Sequence, residues 1–387
     1  MKILLIHNFY QYYGGEDIYV TSLKRLLENN GHKVYLYFKD SKNIKTFWDK
    51  IKTTIGFFYN PQVKKELAEI IKEFKPDIAH FNNIYPLISP ISYRICKQYS
   101  IPIVQHIHNY RFMCPKGILF RNKKICELCL HKKFPLYSII FGCYHKSHLA
   151  SLFFSIASYY NRHIRTFDLI NSFIFQAKFI SNNFINETKI DISKSEILPH
   201  FVPSTNFYLN KKKNFFIYVG RLSEEKGVIE LLEVFKTINN IKLIVIGDGP
   251  LKKHISVYKK YKNIKIINFL KRNKILELMS KAKATIIPSL FYETGPFTLM
   301  ESYSVGTPVI APKLGVFIDK VVYTGLLYEK GSDNLKRSIF YLHKNKDKIK
   351  QMSKNSRKEY IKMYTEMNHL NILIKIYKKI NKRYKGE

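Results

Sequence analysis

The sequence has no apolar run long enough to cross a bilayer as a helix, which takes about 20 residues. The nearest stretch, 149–160, is broken by three serines. The opening run Ile3-Leu4-Leu5-Ile6 ends at His7 and Asn8, too short for an export signal. These absences predict a cytoplasmic chain that touches a membrane without crossing it. Cysteine is scarce, five in 387 residues, which argues against a disulfide framework. Acidic residues are also scarce: 29 Asp+Glu against 65 Lys+Arg leave a formal net charge of +36. Such an excess points to anionic partners, whether nucleic acid, an anionic membrane surface or phosphorylated ligands, without choosing among them. The basic residues are spread over the whole length and nothing resembles a nucleic-acid module, so no nucleic-acid partner is expected.

What is present is ordinary for a globular protein, with 46% hydrophobic and 24% charged residues, and the length suits two domains. Strands alternate with helices. Lys2 to Ile6 reads as a buried strand, followed by a loop with Gly14-Gly15-Glu16, a helix from about Asp17 to Asn29 and a strand from Val34 to Phe38. Further strands are expected over 76–81, 101–105 and near Ser172 to Phe175, with a closing strand at Glu196 to Pro199. After a linker over 202–214, a second βα series begins at Phe215 and turns through Gly220-Arg221-Leu222 to Lys226-Gly227. This alternation in both halves predicts an α/β fold with two parallel sheets.

The most informative segment runs from Ile286 to Glu301. A strand end and a turn lead to a helix that opens near Gly295 and Pro296, with Thr294 as a possible cap. A helix start presents unpaired N–H groups and the positive end of its dipole to an anion. Glu293 stands before this opening and Glu301 two turns inside.

Four motifs in order, Gly14-Gly15-Glu16, His108-Asn109-Tyr110-Arg111, Gly220-Arg221-Leu222 to Lys226-Gly227 and Glu293 to Glu301, resemble those of the GT-B glycosyltransferases. The resemblance is to the retaining, nucleotide-sugar-dependent enzymes of family 4, and it spans nearly the whole chain. It implies two facing Rossmann-like domains with a central cleft: an acceptor-side domain at 1–202 with a Cys-rich insert at 110–148, a donor-binding domain at 203–365, and a basic helix or tail at 366–387. It further implies a UDP- or GDP-sugar donor and a lipid-linked glycan acceptor. Arg221 and Lys226 would clamp the diphosphate. Glu301 would bind the ribose. Glu293, with the backbone of Gly295, Pro296, Phe297 and Thr298, would meet the sugar and phosphates. Gly14 and Gly15 would let a loop approach the diphosphate, and His108 would bond a sugar hydroxyl, with His106 competing for that role. No cofactor is implied for catalysis, and the absence of an Asp-x-Asp fits a reaction without metal. The chain departs from the pattern at Leu314 to Asp319, where members often carry Gly-Gly-x-x-Glu, and at Pro199-His200-Phe201, in place of the usual Asn-Gly. A nucleotide-sugar epimerase or another GT-B enzyme is the alternative; outside enzymes, a basic nucleic-acid- or membrane-binding protein.

Two further features stand apart. Cys114, Cys126, Cys129 and Cys143 form a C-x11-C-x2-C-x13-C array with the spacing of a structural zinc site. His131, His145 and His148 are substitute ligands, and a redox pair or unligated thiols are the alternatives. The array is similar to one in a family subgroup that builds cell-surface polysaccharides such as capsule. Basic and aromatic residues interleave over 42–59, and the tail at 375–385 is strongly basic; both suit peripheral attachment to an anionic inner membrane face. For 42–59 a helix pair with core aromatics is the competing reading.

Overall fold

The computed structural model describes residues 1–12, 14–208 and 211–386, apart from the side chains of Phe47, Lys50, Ile51 and Lys385. The chain forms two compact units. The first comprises Met1–Leu119, Glu127–Pro199 and His369–Glu387, the second Phe120–Cys126 and His200–Asn368.

The first unit holds a six-stranded parallel sheet: β1 (Lys2–Phe9), β2 (Lys33–Asp40), β3 (Ile78–Phe81), β4 (Ile103–His106), β5 (Ser172–Phe175) and β6 (Ser195–Ile197), in spatial order β2-β1-β3-β4-β5-β6. Ile3, Leu4, Leu5 and Ile6 are wholly buried, as expected for a strand covered by helices on both faces. The second unit repeats the plan with β7 (Phe215–Val219), β8 (Lys242–Ile246), β9 (Ile264–Ile267), β10 (Thr285–Ile286), β11 (Val309–Pro312) and β12 (Gly325–Tyr328), ordered β9-β8-β7-β10-β11-β12. In such sheets the winding reverses where the order of strands switches, between β1 and β3 in one unit and between β7 and β10 in the other. The crevice beyond the strand ends at a switch point is where ligands bind. The motifs at Gly14, Gly220 and Glu293 follow β1, β7 and β10, and the motif at His108 follows β4, the neighbour of β3.

Three expectations are revised. The helix after the glycine loop starts at Gly15, not near Asp17. The closing strand of the first sheet ends at Ile197, short of Pro199. The basic tail is the helix Glu366–Lys385, and from His369 onward it belongs to the first unit. Leu370, Leu373, Ile376, Tyr377 and Ile380 recur at helical spacing and are buried there, which leaves only its charged face outside. Over 42–59 the two readings divide the residues: Phe57 is buried, whereas Trp48 and Tyr59 are exposed. The expected contributions of Phe47, Lys50 and Lys385 lie outside the described side chains.

The C-terminal helix is fastened through buried polar groups. The Tyr19 hydroxyl donates to His369 Nε2 at 3.0 Å, and His369 Nδ1 donates to the Pro199 carbonyl at 2.8 Å. His80 Nδ1 accepts from the Tyr377 hydroxyl at 2.5 Å. Burial holds both imidazoles neutral: it pushes His80 down to about 3, with the neighbouring His369 adding to the effect, and pushes His369 down to about 4 despite its bond to Pro199. An unfolded chain protonates these rings near 6.5. Between that value and the folded ones the unfolded state binds more protons, so stability is lost as pH falls through this window. Urea titrations at pH 7 and pH 5 are expected to show a lower unfolding free energy at pH 5, by roughly 1 kcal/mol per histidine for each pH unit below the unfolded value; equal free energies would contradict it.

Candidate active site

In the second unit, β7 ends at Val219 and runs into Gly220 and Arg221, and a single turn at Glu224–Lys226 leads through Gly227 into the helix Val228–Lys236. The neighbouring β10 ends in the loop that carries Ser289 and Glu293. These two loops are stitched together. Leu290 N–H donates to the Glu225 carbonyl at 2.8 Å, and Gly227, at φ +66°, packs against the Pro288 carbonyl. The Glu293 side chain is 6% exposed and one of its oxygens, Oε1, accepts from Lys226 Nζ at 2.7 Å and from Ser289 Oγ at 2.6 Å. Phe291 lies under the same ammonium, 5.0 Å from ring centre to Nζ. Lys226 and Glu293 therefore share one constellation. Arg221 is exposed, and among the described residues its side chain has no hydrogen-bond or ion-pair partner.

The helix Phe297–Ser304 follows with Pro296 at its N-cap position. Thr294, the cap expected from the sequence, does not occupy that position, and Pro296 brings no side-chain cap of its own. Leu299 N–H donates to the Pro296 carbonyl at 3.0 Å, and a helix start of this kind suits an anionic acceptor. Thr298 Oγ1 donates to the Val219 carbonyl at 3.0 Å, tying this helix to the end of β7. One turn and a half into the helix, Glu301 is paired with Arg272 Nε at 2.9 Å. Burial raises the Glu301 carboxyl, and Arg272 works against that rise. Arg272 and Ser289 were not singled out from the sequence. Arg272 stands 29 positions before Glu301 and nothing in the local spacing pairs them.

In the first unit, Gly14 precedes the helix Gly15–Asn29. Its N–H donates to Asp17 Oδ2 at 2.7 Å, while the other oxygen of the fully buried Asp17 is 2.8 Å from His7 Nε2. The glycine loop is therefore held from inside the fold by the end of β1. His106, the last residue of β4, is 1% exposed and His108, beyond it, 8%; their rings stack at 4.2 Å. His108 Nε2 donates to Asn82 Oδ1 at 2.8 Å, which fixes the ring's orientation. Glu16, a member of the first motif to which the sequence assigns no role, also has a place here: its Oε2 accepts from the Tyr10 hydroxyl at 2.8 Å and from Asn109 Nδ2 at 3.3 Å, and burial raises its carboxyl. The Gly14 and His108 motifs are thus joined by hydrogen bonds within one unit.

The cysteine array is not drawn together. Among the described residues, no three sulfurs of Cys114, Cys126, Cys129 and Cys143 lie within 4.8 Å of one another, alone or with a histidine or carboxylate. All four are half-buried and none is in a disulfide. As placed they do not fit a tetrahedral zinc site: the spacing meets the requirement along the chain, and the fold does not converge the thiols.

Comparison with known proteins bears on the family and the fold. Residues 205–359 match the family described as "Glycosyl transferases group 1", and residues 13–202 match "Glycosyltransferase Family 4". An uncharacterized glycosyltransferase of Methanocaldococcus jannaschii is 25% identical, over 98% of this chain and 99% of its own. The alpha-monoglucosyldiacylglycerol synthase of Acholeplasma laidlawii is 30% identical over 43% of this chain and 46% of its own. Among solved structures, Anabaena HepE in complex with UDP superposes with a TM-score of 0.68 at 15% identity, covering 98% of this chain and all of that one. A likeness at that identity speaks for the fold.

Proposed function

The chain belongs to the group 1/family 4 glycosyltransferases of GT-B fold, and on that premise we propose that it moves a hexose from a nucleoside-diphosphate sugar to a hydroxyl of a lipid-linked glycan, with retention of configuration. The observation that carries the donor half of this reading is the cluster at the β7/β10 switch point. Arg221 and Lys226 stand there beside the helix start at Phe297, an arrangement suited to neutralising a diphosphate. The UDP in the HepE structure supports a nucleotide donor. The name of the Acholeplasma synthase supports an acceptor that carries a lipid, and a place in capsule, O-antigen or exopolysaccharide assembly is part of the same proposal.

In this reaction the acceptor oxygen attacks the face from which the nucleoside diphosphate departs. The departing phosphate takes the acceptor's proton, and Arg221 and Lys226 offset the negative charge growing on it. Glu293, fixed by Lys226 and Ser289, meets hydroxyls of the transferred sugar. Glu301 exchanges part of its pairing with Arg272 for the ribose hydroxyls. His108, oriented by Asn82, bonds a hydroxyl at the reacting sugar.

A thermal-shift series across UDP- and GDP-sugars identifies the donor, and incubation of the labelled donor with lipid-linked acceptors then tests transfer. Sugar converted without transfer would reject the reading in favour of an epimerase. Glu301→Ala is expected to raise the donor KM about 10- to 100-fold with kcat changed far less, because the ribose is held alike in the ground and transition states. A kcat loss of the same size with an unchanged KM would remove Glu301 from the ribose.

A further inference from the structure

The helix His148–His163 in the first unit is built inside out. Ser151, Ser155 and Ala157 face the interior with Phe154, while Leu149, Phe153, Ile156 and Tyr160 are exposed, Leu149 by 64%. Those four sit at i, i+4, i+7 and i+11, a single stripe along one side. The inward serines have a structural partner: Ser155 Oγ meets Ser138 Oγ at 2.7 Å, docking the short helix Leu136–Ile140 alongside. That helix in turn leaves Leu136 and Ile140 exposed, by 54% and 51%. On the other flank Phe58 lies against Tyr160, ring centres 6.3 Å apart, and the helix Phe47–Gly56 adds exposed Trp48 and Ile55. Three helices therefore turn apolar side chains outward on neighbouring surface, which in a soluble monomer marks a docking face.

The charge around this face selects its occupant. No Asp or Glu occurs anywhere in 128–167, while Lys132, Lys133 and Lys146 are exposed there. Lys45 and Lys52 add exposed cations beside Trp48, and the one acid of that helix, Asp49, is spent on capping it through Thr46. A second copy of a chain with net charge +36 would bring like charge to like. No helix among the described residues is long and apolar enough to cross a membrane. We infer that this face seats on the headgroup region of an anionic lipid bilayer, with the stripe Leu149–Phe153–Ile156–Tyr160 dipping into the acyl boundary and the lysines meeting lipid phosphates. The C-terminal helix, whose apolar side is buried, contributes at most charge. The inference deepens the lipid-acceptor reading above. Its test uses no sugar, so failed adsorption and failed transfer are separate results.

The full chain is floated with vesicles of pure phosphatidylcholine and with vesicles containing phosphatidylglycerol, at low and high salt. Partitioning at least about tenfold higher on the anionic vesicles, weakened by salt, is expected. Trp48, the single tryptophan, should shift its emission to the blue on adsorption. The triple variant Leu149→Ser, Phe153→Ser, Ile156→Ser should lose at least tenfold in partitioning while keeping its far-UV spectrum and its thermal shift with nucleotide. Flotation of the variant at the wild-type level would overturn the proposal. So would a wild type that stays in solution as a dimer dispersed by the same substitutions, which would make the face an interface between copies. The charge-reversal pair Lys132→Glu, Lys133→Glu serves as the second variant: if it adsorbs to anionic vesicles as the wild type does, the electrostatic part is wrong.

Discussion

Replacing Lys226 by Ala is expected to lower kcat/KM for sugar transfer by about 10²–10³-fold, the size seen when one preorganised charge or donor is taken from a developing anion. Two effects add in the same direction. The departing diphosphate loses a cation beside it. The Glu293 carboxylate, 6% exposed, keeps only Ser289 of the two donors on its Oε1 and is free to turn away from the sugar. Because both losses bear on the reacting centre, most of the deficit should appear in kcat and less in the donor KM. Lys226→Arg should recover part of the rate through charge alone, since the guanidinium is bulkier and its fork does not reproduce a 2.7 Å point contact. The measurement is steady-state transfer with donor varied at saturating acceptor, alongside a urea titration that checks folding. A Lys226→Ala enzyme within threefold of wild type would show that the Lys226–Glu293 pair is a structural tie and that the phosphate is held elsewhere.

The parts of this site that were legible in the sequence are those whose chemistry demands a residue type at a strand end. Arg221 and Lys226 flank one strand-to-helix turn, Glu293 and Glu301 flank another, and the parallel-sheet pattern alone puts such turns at one edge of a sheet. What stayed hidden depends on how elements pack. Arg272 reaches Glu301 because its helix runs beside the helix Phe297–Ser304, a neighbourhood no spacing reveals. The last helix reads as a solvated basic tail by composition, but Leu373 and Tyr377 commit it to the first unit. Lys212, in what reads as a polar linker, is half-buried instead, bonded to the carbonyls of Ser280 and Gly306 and to Thr307, and desolvation lowers its ammonium to about 7. The cysteine spacing erred in the opposite sense: it satisfied a motif along the chain that the fold does not close in space. The helix His148–His163 was noticed as a broken apolar run, and only the buried serines show which side faces out.

A large loss of stability is expected at Gly227. A Cβ built there would stand 2.0 Å from the Pro288 carbonyl oxygen, and that obstacle is backbone, unable to swing aside as a side-chain end would. The residue also sits at φ +66°, a left-handed conformation costing a side chain about 1–2 kcal/mol by itself. Gly31 provides the control for that second cost, since it has φ +79° and nothing within 4 Å of the same position. Gly31→Ala should therefore lose only the conformational part. Gly227→Ala must in addition push the Pro288 strand end away from the turn at Glu224–Lys226, breaking the Leu290-to-Glu225 backbone bond. A total of at least about 3 kcal/mol is expected for Gly227→Ala, in the range of severe backbone and packing defects. The displacement also separates the loops that carry Lys226 and Glu293, so whatever folded protein survives should transfer sugar as poorly as Lys226→Ala. Urea denaturation of the two alanine variants reads the first effect and transfer by the residual folded fraction reads the second. Equal destabilisation at Gly31 and Gly227 would mean that the close approach of the two loops is not what this glycine permits.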